Sequence, residues 1–360
     1  MPLRVTKLEL RDFRSYESFD LEPGEKITIV VGANAVGKTN VIEALQLLSA
    51  ANSFRNPAWG ECVRWGAPIA SLLLEARGDN RKLETRLSIS AAGKRTYSVN
   101  GKVKRKLADV AGLLPCVVFT PDDLRMVKDS ADRRRAAIDG VGDQLSPAYH
   151  TLRNEYERTV RQRNAALKSP QNDGHVMSAL TERLIDRGAA FSIHRKRLFT
   201  RIAAKVTATY AALVPSEQLD AVYESSWVRR GILEDSDTGF REALNLSAGE
   251  ERARGATLVG PHRDEIRFLL NGRDARVFAS QGQQRTIALA WKLAEVAVIR
   301  DVAGQPPLLL LDDVMSELDE GRRHALASFV GEAAQTFVTT TNLGYFEPEM
   351  VDRARVVRLG

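Results

Sequence analysis

The chain has 360 residues, 44% apolar and 27% charged, with a formal net charge of +6. These are the proportions of an ordinary globular protein with chain enough for two or so domains, and they exclude a disordered, collagenous or disulfide-stapled class. No run approaches the roughly 18 apolar residues of a membrane span, and the first residues, Met-Pro-Leu-Arg-Val-Thr-Lys, lack the apolar core of a signal peptide, so no membrane partner and a cytoplasmic location are expected. Cys62 and Cys116 have neither a CxxC partner nor a histidine at metal spacing, which predicts buried, reduced thiols. A basic balance is compatible with a nucleic-acid partner without requiring one.

In chain order, Val5, Leu8 and Leu10 predict an opening strand. Lys26 to Val31 is a β-branched strand, and Asn40 to Ser49 has the periodicity of a helix. Between them stand Gly32, Ala33, Asn34, Ala35, Val36, Gly37, Lys38 and Thr39. Strand, glycine loop and helix is the context of a phosphate-binding loop: the glycines let the backbone wrap the phosphates, and its N–H groups face them at the positive end of a helix. Lys38 is expected to reach the β- and γ-phosphates, and Thr39 to place its hydroxyl on Mg²⁺. The segments 71–76, 83–90 and 96–99 then read as a meander, with Asn100-Gly101 as a turn. Cys116 to Thr120 reads as a buried strand leading into Pro121-Asp-Asp-Leu124.

Composition then changes. Ser146-Pro147 opens a helix, with Leu152, Tyr156 and Val160 on one face, expected to stop in the turn cluster 169–174. A longer periodic stretch from Leu180 through Phe191, Ile202 and Tyr210 runs to Pro215, and two antiparallel helices are the simplest reading. Residues 131–210 hold fifteen Lys or Arg against eight Asp or Glu. That excess is either a solvated helix face or a phosphate-contacting surface. Sheet-like character returns only after about Leu244, so the predicted division is a discontinuous head, 1–130 with 245–360, and an inserted mainly helical arm, 131–244.

Pro307-Leu-Leu-Leu-Leu-Asp-Asp313 has the pattern of a buried parallel strand with an acidic end. Asp312 is the expected metal-side carboxylate, and Asp313 is placed to polarise an attacking water. Ser280, Gln281, Gly282 and Gln283, opening an apolar helix, form a second candidate anion site at a helix N-terminus. A second phosphate site on a chain that already has one makes sense if it serves a partner's nucleotide, with two chains closing head to tail in a twofold homodimer. An ordinary helix cap is the alternative for Ser280.

These motifs, with Gly260-Pro-His-Arg-Asp264, Asp12-Phe-Arg-Ser-Tyr16, Ser53-Phe-Arg55 and Phe119-Thr-Pro-Asp-Asp-Leu124 in the same order, resemble the RecF family of bacterial DNA-repair ATPases, related to the ABC-type heads of SMC proteins. The resemblance implies an α/β, ABC-type P-loop ATPase head of mixed sheets with flanking helices and an inserted α-helical arm. It implies ATP and Mg²⁺ as ligands, with Asn40 completing the loop, and ATP-dependent dimerisation on DNA at single-strand gaps, junctions or duplex. It also implies action with RecR and RecO in loading RecA, in replication restart and in SOS induction. By position, Ser280 resembles a signature serine acting in trans, with Gln281, Gly282 and Gln283 beside it. Ser316 and Asp319 resemble the D-loop, Thr339 to Asn342 stand where transporters carry a switch histidine, and Asp122 or Asp123 stands near a Q-loop position.

Asp313 occupies a place where most ABC ATPases have Glu. The shorter carboxylate and the missing switch histidine predict slow turnover, with ATP binding as the switch and hydrolysis as release. Arg55, Arg133, Arg134 and Arg135 are either phosphate contacts for DNA or solvated side chains. His262 reads as structural, Arg263 and Asp264 as a simple pair, and Trp59, Trp65, Trp227 and Trp291 as core. Two other functions compete: a transporter's nucleotide-binding subunit, disfavoured by the long basic insertion, and a non-catalytic nucleotide-gated scaffold that recruits repair proteins.

Overall fold

The computed structural model describes residues 2–79, 81–169, 174–232, 236–330 and 333–360. The chain forms two compact units: Met1–Arg125 with Ala288–Gly360, and Met126–Ile287. In chain order the first unit holds β1 (Arg4–Phe13), β2 (Tyr16–Leu21), β3 (Ile27–Gly32), α1 (Lys38–Ala50), β4 (Ile69–Arg77), β5 (Lys82–Ser90), β6 (Arg95–Val99), β7 (Lys102–Lys104) and β8 (Cys116–Phe119). The second holds α2 (Ala131–Leu145), α3 (Pro147–Lys168), α4 (Gly174–Leu213), β9 (Leu219–Glu224), α5 (Asp237–Arg254), β10 (Glu265–Leu270), β11 (Arg273–Asp274) and α6 (Ala275–Phe278). The unit boundary falls inside α7 (Gln281–Ala303), after which β12 (Leu308–Asp312), α8 (Glu320–Val330), β13 (Gln335–Thr340), α9 (Pro348–Asp352) and β14 (Arg355–Leu359) complete the first unit.

In the first unit an antiparallel sheet runs β2-β1-β4-β5-β6-β7, and a parallel sheet runs β14-β3-β13-β12-β8. The two are written differently in the sequence. Strand β5 alternates buried and exposed or half-buried positions along its length, as a strand with one covered face must. Every residue of β12 and β13 is buried, which explains the unbroken leucines at 308–311. Helix α1 lies in the core: Leu45 and Leu48 join a cluster that takes Leu8, Leu74 and Leu87 from the antiparallel sheet and Leu308, Leu310 and Phe337 from the parallel one. A helix enclosed on all sides has no polar face to show, and ten of its residues, Lys38 and Glu43 among them, are buried. The buried Gln335 is satisfied by donating to Val5 O (3.1 Å) and Gly24 O (2.6 Å) and accepting from Val5 N (2.8 Å). Asn100 and Gly101 both take positive φ (49° and 74°), the turn that joins β6 to β7.

In the second unit Ser146 caps α3, its hydroxyl accepting from Tyr149 N at 3.2 Å, with Pro147 at the first helical position. Helices α3 and α4 are antiparallel, since Arg163 reaches Thr181 (3.1 Å) while the earlier Glu155 reaches the later Arg187 (3.3 Å). The turn cluster expected to end α3 falls largely at 170–173, outside the described residues.

Two expectations about this region change. Sheet structure does not wait for residue 244: β9 lies at 219–224, and α5 continues helical to Arg254. The compact units also divide at 125/126 and 287/288. The reason is non-local: β10 pairs with β9 from Glu265↔Glu224 to Leu270↔Leu219, and that sheet ties residues beyond 244 to the helical unit.

Candidate nucleotide site and the signature turn

The nucleotide loop begins where β3 ends and closes where α1 begins. Ala35 (φ 66°) and Gly37 (φ 102°) are left-handed. A Cβ on Gly37 would stand 3.0 Å from Ser15 Oγ and from the Tyr16 hydroxyl, which donates to Gly37 O at 3.1 Å, so no side chain fits. Burial pushes the Tyr16 hydroxyl up to about 12, which keeps it a donor. No side chain caps α1, so its first turn is open to an anion. The buried Lys38 rests its ammonium on Gly32 O (2.9 Å) and Ala33 O (2.7 Å). Those neutral carbonyls are weak partners for a cation that phosphate oxygens would hold more strongly.

Asn40 donates to Ser15 Oγ (2.9 Å) and accepts from Arg55 (2.8 Å). Arg55 and Arg14 both pair with the buried Glu43 on α1, at 3.0 and 2.7 Å. Arg55 therefore belongs to the rim of the nucleotide loop.

Asp312, at the end of β12, accepts from the Thr339 hydroxyl at 2.8 Å. Burial pushes its carboxyl upward, opposed by hydrogen bonds from Thr339 and Thr39 and by the charges of Arg55 and Lys38. Thr39 and Asp312 are thus brought together as hydroxyl and carboxylate, the oxygen chemistry Mg²⁺ takes. Among the described residues no group of three or more His, Cys, Asp or Glu is placed to hold a metal, so a Mg²⁺ held here would complete its shell with phosphate oxygens and water.

Asp313 is left-handed (φ 50°), and its N–H donates to the Thr339 hydroxyl at 2.9 Å. Its Oδ1 is buried without a hydrogen-bond partner, and burial raises the affinity of the carboxyl for a proton, opposed first by Lys38. An acceptor in that state suits a group that polarises water. Thr339 thus holds the Asp312 carboxylate and the Asp313 backbone N–H through one hydroxyl, a role its position alone did not reveal.

Of the remaining candidates in this unit, Ser316 donates to Asp313 O (2.8 Å), and Asp319 caps α8, accepting from Arg322 N (2.9 Å). Asp123 accepts from Thr120 N (2.8 Å) and pairs with Lys292 (3.2 Å), a structural engagement.

In the second unit the signature turn is a reciprocal capping box: Ser280 Oγ accepts from Gln283 N (3.2 Å), and Gln283 Oε1 accepts from Ser280 N (2.7 Å). Gln283 also donates to Glu217 (2.8 Å), and Gln284 to Ala279 O (2.7 Å). Capping therefore accounts for more of this motif than Ser280 alone. Gln281 is exposed, as are Val277 and Phe278 just before the turn.

The arginine run at 133–135 is corrected by burial. Arg134 pairs with Glu265 (2.8 Å) and donates to Met126 O (2.8 Å) and Asp129 O (2.7 Å), and Arg135 bonds Asp264 O and Asp132. Both serve the interior and are unavailable to DNA, whereas Arg133 is exposed enough to meet a ligand and pairs with Asp129 at 2.8 Å. Some of the arm's basic excess is likewise spent inside, in Arg163–Glu251 and Arg195–Asp139, both at 2.7 Å.

His262 is structural. Its Nε2 faces Thr257 O (3.1 Å), which can only accept, so Nε2 carries the proton and Nδ1 accepts from the Tyr156 hydroxyl at 2.6 Å. Burial lowers its pKa to about 4. Asp264 does not pair with Arg263; it accepts from the Tyr223 hydroxyl and from Ser226 N (2.7 Å). Trp227 and Trp291 are core, Trp59 lies under Arg95 (3.9 Å), and Trp65 is 97% exposed, against expectation.

A glycine loop between strand and helix, a Thr39–Asp312 pair and Asp313 beside it with a buried Oδ1 that has no hydrogen-bond partner, together with a separate Ser-Gln-Gly-Gln helix start, define an ABC-type P-loop ATPase head. The family model described as RecF/RecN/SMC N terminal domain matches residues 4–357, and the chain belongs to that family, on its RecF branch. The DNA replication and repair protein RecF of Heliobacterium modesticaldum is 37% identical over 99% of this chain and 97% of its own length. RecF of Bacillus subtilis is 35% identical over 99% and 98%. A solved structure of the recombination mediator protein RecF with ATP, in the RecFOR pathway, matches with TM-score 0.88 at 28% identity over 96% of this chain and 94% of that one. The Smc head domain of Pyrococcus furiosus matches at 0.55 and 16% identity, a likeness of fold.

Proposed function

We propose that the chain is an ATP-switched DNA-binding protein of replication and repair. The observation that carries this reading is the state of the nucleotide loop: Lys38 lies on two carbonyls, α1 is uncapped, and Thr39 meets Asp312. Phosphates of ATP would take Lys38 and the open helix end, and Mg²⁺ held by Thr39 and Asp312 would neutralise charge developing on the transferred group. Asp313 orients and polarises the attacking water. Its short side chain holds that water loosely, and hydrolysis is slow relative to a typical enzyme's roughly 10 per second.

Ser280 and Gly282 of a second copy complete the γ-phosphate contacts, so ATP favours a homodimer, and that dimer is the form retained on gapped, junction or duplex DNA. RecR and RecO are the partners that the RecFOR relative suggests, with RecA loading downstream. Because ATP can shift this equilibrium only by binding the dimer better than the monomer, the nucleotide dependence of assembly is the test. Sedimentation with ATP, ADP or neither, with and without gapped DNA, should give dimers on DNA with ATP alone, and Lys38→Met should abolish them. DNA affinity that is identical with and without ATP in the wild type would refute the switch.

A further inference from the structure

The second unit carries an open groove of about 480 Å³ lined by Ser226, Arg229, Arg230, Leu258 and Arg263. Among the described residues no carboxylate lines it. The smaller cavity of about 220 Å³ that shares Arg229 is different: there Arg134, Arg229, Arg267 and Arg276 alternate with Glu224, Glu265 and Asp274, and the charge is largely balanced from within.

The groove's arginines stand on a frame that is already locked. The Ser226 hydroxyl donates to Gly260 O (3.0 Å) and accepts from Gly260 N (2.8 Å), Asp264 fastens Ser226 N, and Arg229 donates to Arg263 O (2.8 Å). The buried Trp227, stacked on Phe240 at 4.9 Å, anchors the turn that carries Arg229 and Arg230, and Gly231 closes that turn at φ 90°. The motif at 260–264 thereby gains a meaning: His262 and Asp264 point inward as fastenings, while Arg263 is exposed.

The guanidinium groups keep donors to spare. Arg229 has Glu265 at 3.9 Å, a carboxylate already held by Arg134 at 2.8 Å. Arg230 spends one nitrogen, Nη1, on the Ser247 hydroxyl at 3.2 Å and on Glu250 at 3.3 Å, a carboxylate shared with Arg254 at 3.0 Å. Arg263 has the Thr257 carbonyl at 3.5 Å. Rigid forks with spare donors bind phosphate oxygens in pairs and lose little entropy in doing so. No aromatic side chain lines the groove for bases to stack on, so the backbone is what it can read.

We propose that Arg229, Arg230 and Arg263 form a sequence-independent binding surface for the phosphate backbone of DNA. This rests on the DNA-binding reading above. The test is equilibrium binding of full-length protein, with ATP, to labelled gapped duplex across 50–200 mM salt. The Arg229→Gln/Arg263→Gln double variant should bind roughly tenfold more weakly at every sequence tried, and its slope of log K against log salt should be shallower by about 0.9 for each phosphate no longer neutralised. Arg263→Lys, which keeps the charge, should keep the slope. A double variant with wild-type thermal stability, affinity and slope would overturn this surface and leave DNA binding intact. A wild type that binds no DNA would overturn the underlying reading, and this surface with it. Should the double variant unfold early, Arg263→Gln alone carries the test with a slope change of about 0.9.

Discussion

The two units treat their polar groups in opposite ways. Around the nucleotide loop they are left waiting: Lys38 has only carbonyls, α1 has no cap, and Asp313 Oδ1 has no partner. Around the signature turn and the inward-facing residues of the 260–264 motif they are already spent, the Ser280 N–H on Gln283, His262 on Tyr156 and Thr257, Asp264 on Tyr223 and Ser226, with the exposed Arg263 as the exception. A waiting site gains free energy as soon as ligand arrives, whereas a satisfied one must first give up a bond it has. Nucleotide should therefore enter at Lys38 first, and the signature turn should engage it only in a second, dimer-forming step.

That contrast can be broken or sharpened by substitution. Asp313→Asn keeps the shape of the waiting site and removes its base, so turnover should fall roughly a thousandfold while ATP-driven dimers persist, measured by phosphate release and sedimentation. Equal turnover would show that Asp313 is not the base. Gly260→Ala strikes the satisfied side. Its φ of 134° suits glycine, and a Cβ would overlap the Tyr156 hydroxyl, so a loss of roughly 4 kcal/mol in urea unfolding is expected.

His262 supplies a pH signature on the same side. Its pKa falls from 6.5 to about 4 on folding, so the unfolded chain takes up a proton between those values that the folded chain refuses. Its contribution is complete above pH 6.5 and is lost as pH falls toward 4, by about 3 kcal/mol. Subtracting the His262→Gln profile from that of the wild type isolates this term from other buried groups, and a flat difference would contradict it. The smallest effect belongs to Gln283→Ala, which opens the capping box at a cost of about 1 kcal/mol in stability and, by freeing the Ser280 N–H while the Gln283 N–H still bonds the Ser280 hydroxyl, should tighten ATP-driven dimerisation. Weaker dimerisation would mean that Gln283 itself touches nucleotide.

The nucleotide half was legible because its chemistry is written in adjacent residues. Glycines at 32 and 37, Lys38-Thr39 and the leucine run ending in Asp312 each state a backbone conformation or a buried face. The second unit was less legible because its logic is long-range. Strand β9 is half polar and becomes a strand through pairing with β10 some forty residues on. Arg134 and Arg135 looked like surface charge, and only the fold supplies Glu265 and Asp264 O to bury them. That Asp313 Oδ1 lacks a partner, and that Thr339 holds the Asp312 carboxylate and the Asp313 N–H together, are facts of three-dimensional placement.

Enclosed between two sheets, the 13 residues of α1 have a consequence for hydrogen exchange. Amides from Val41 to Leu48 can meet solvent only when the first unit opens as a whole, while those of Lys38 and Thr39 lie at the mouth of the loop. Ligand should slow exchange at the mouth by direct contact and in the middle by the full RT ln(1 + [L]/Kd) of linkage. One short helix thereby reports occupancy at its first turn and global stability two turns later.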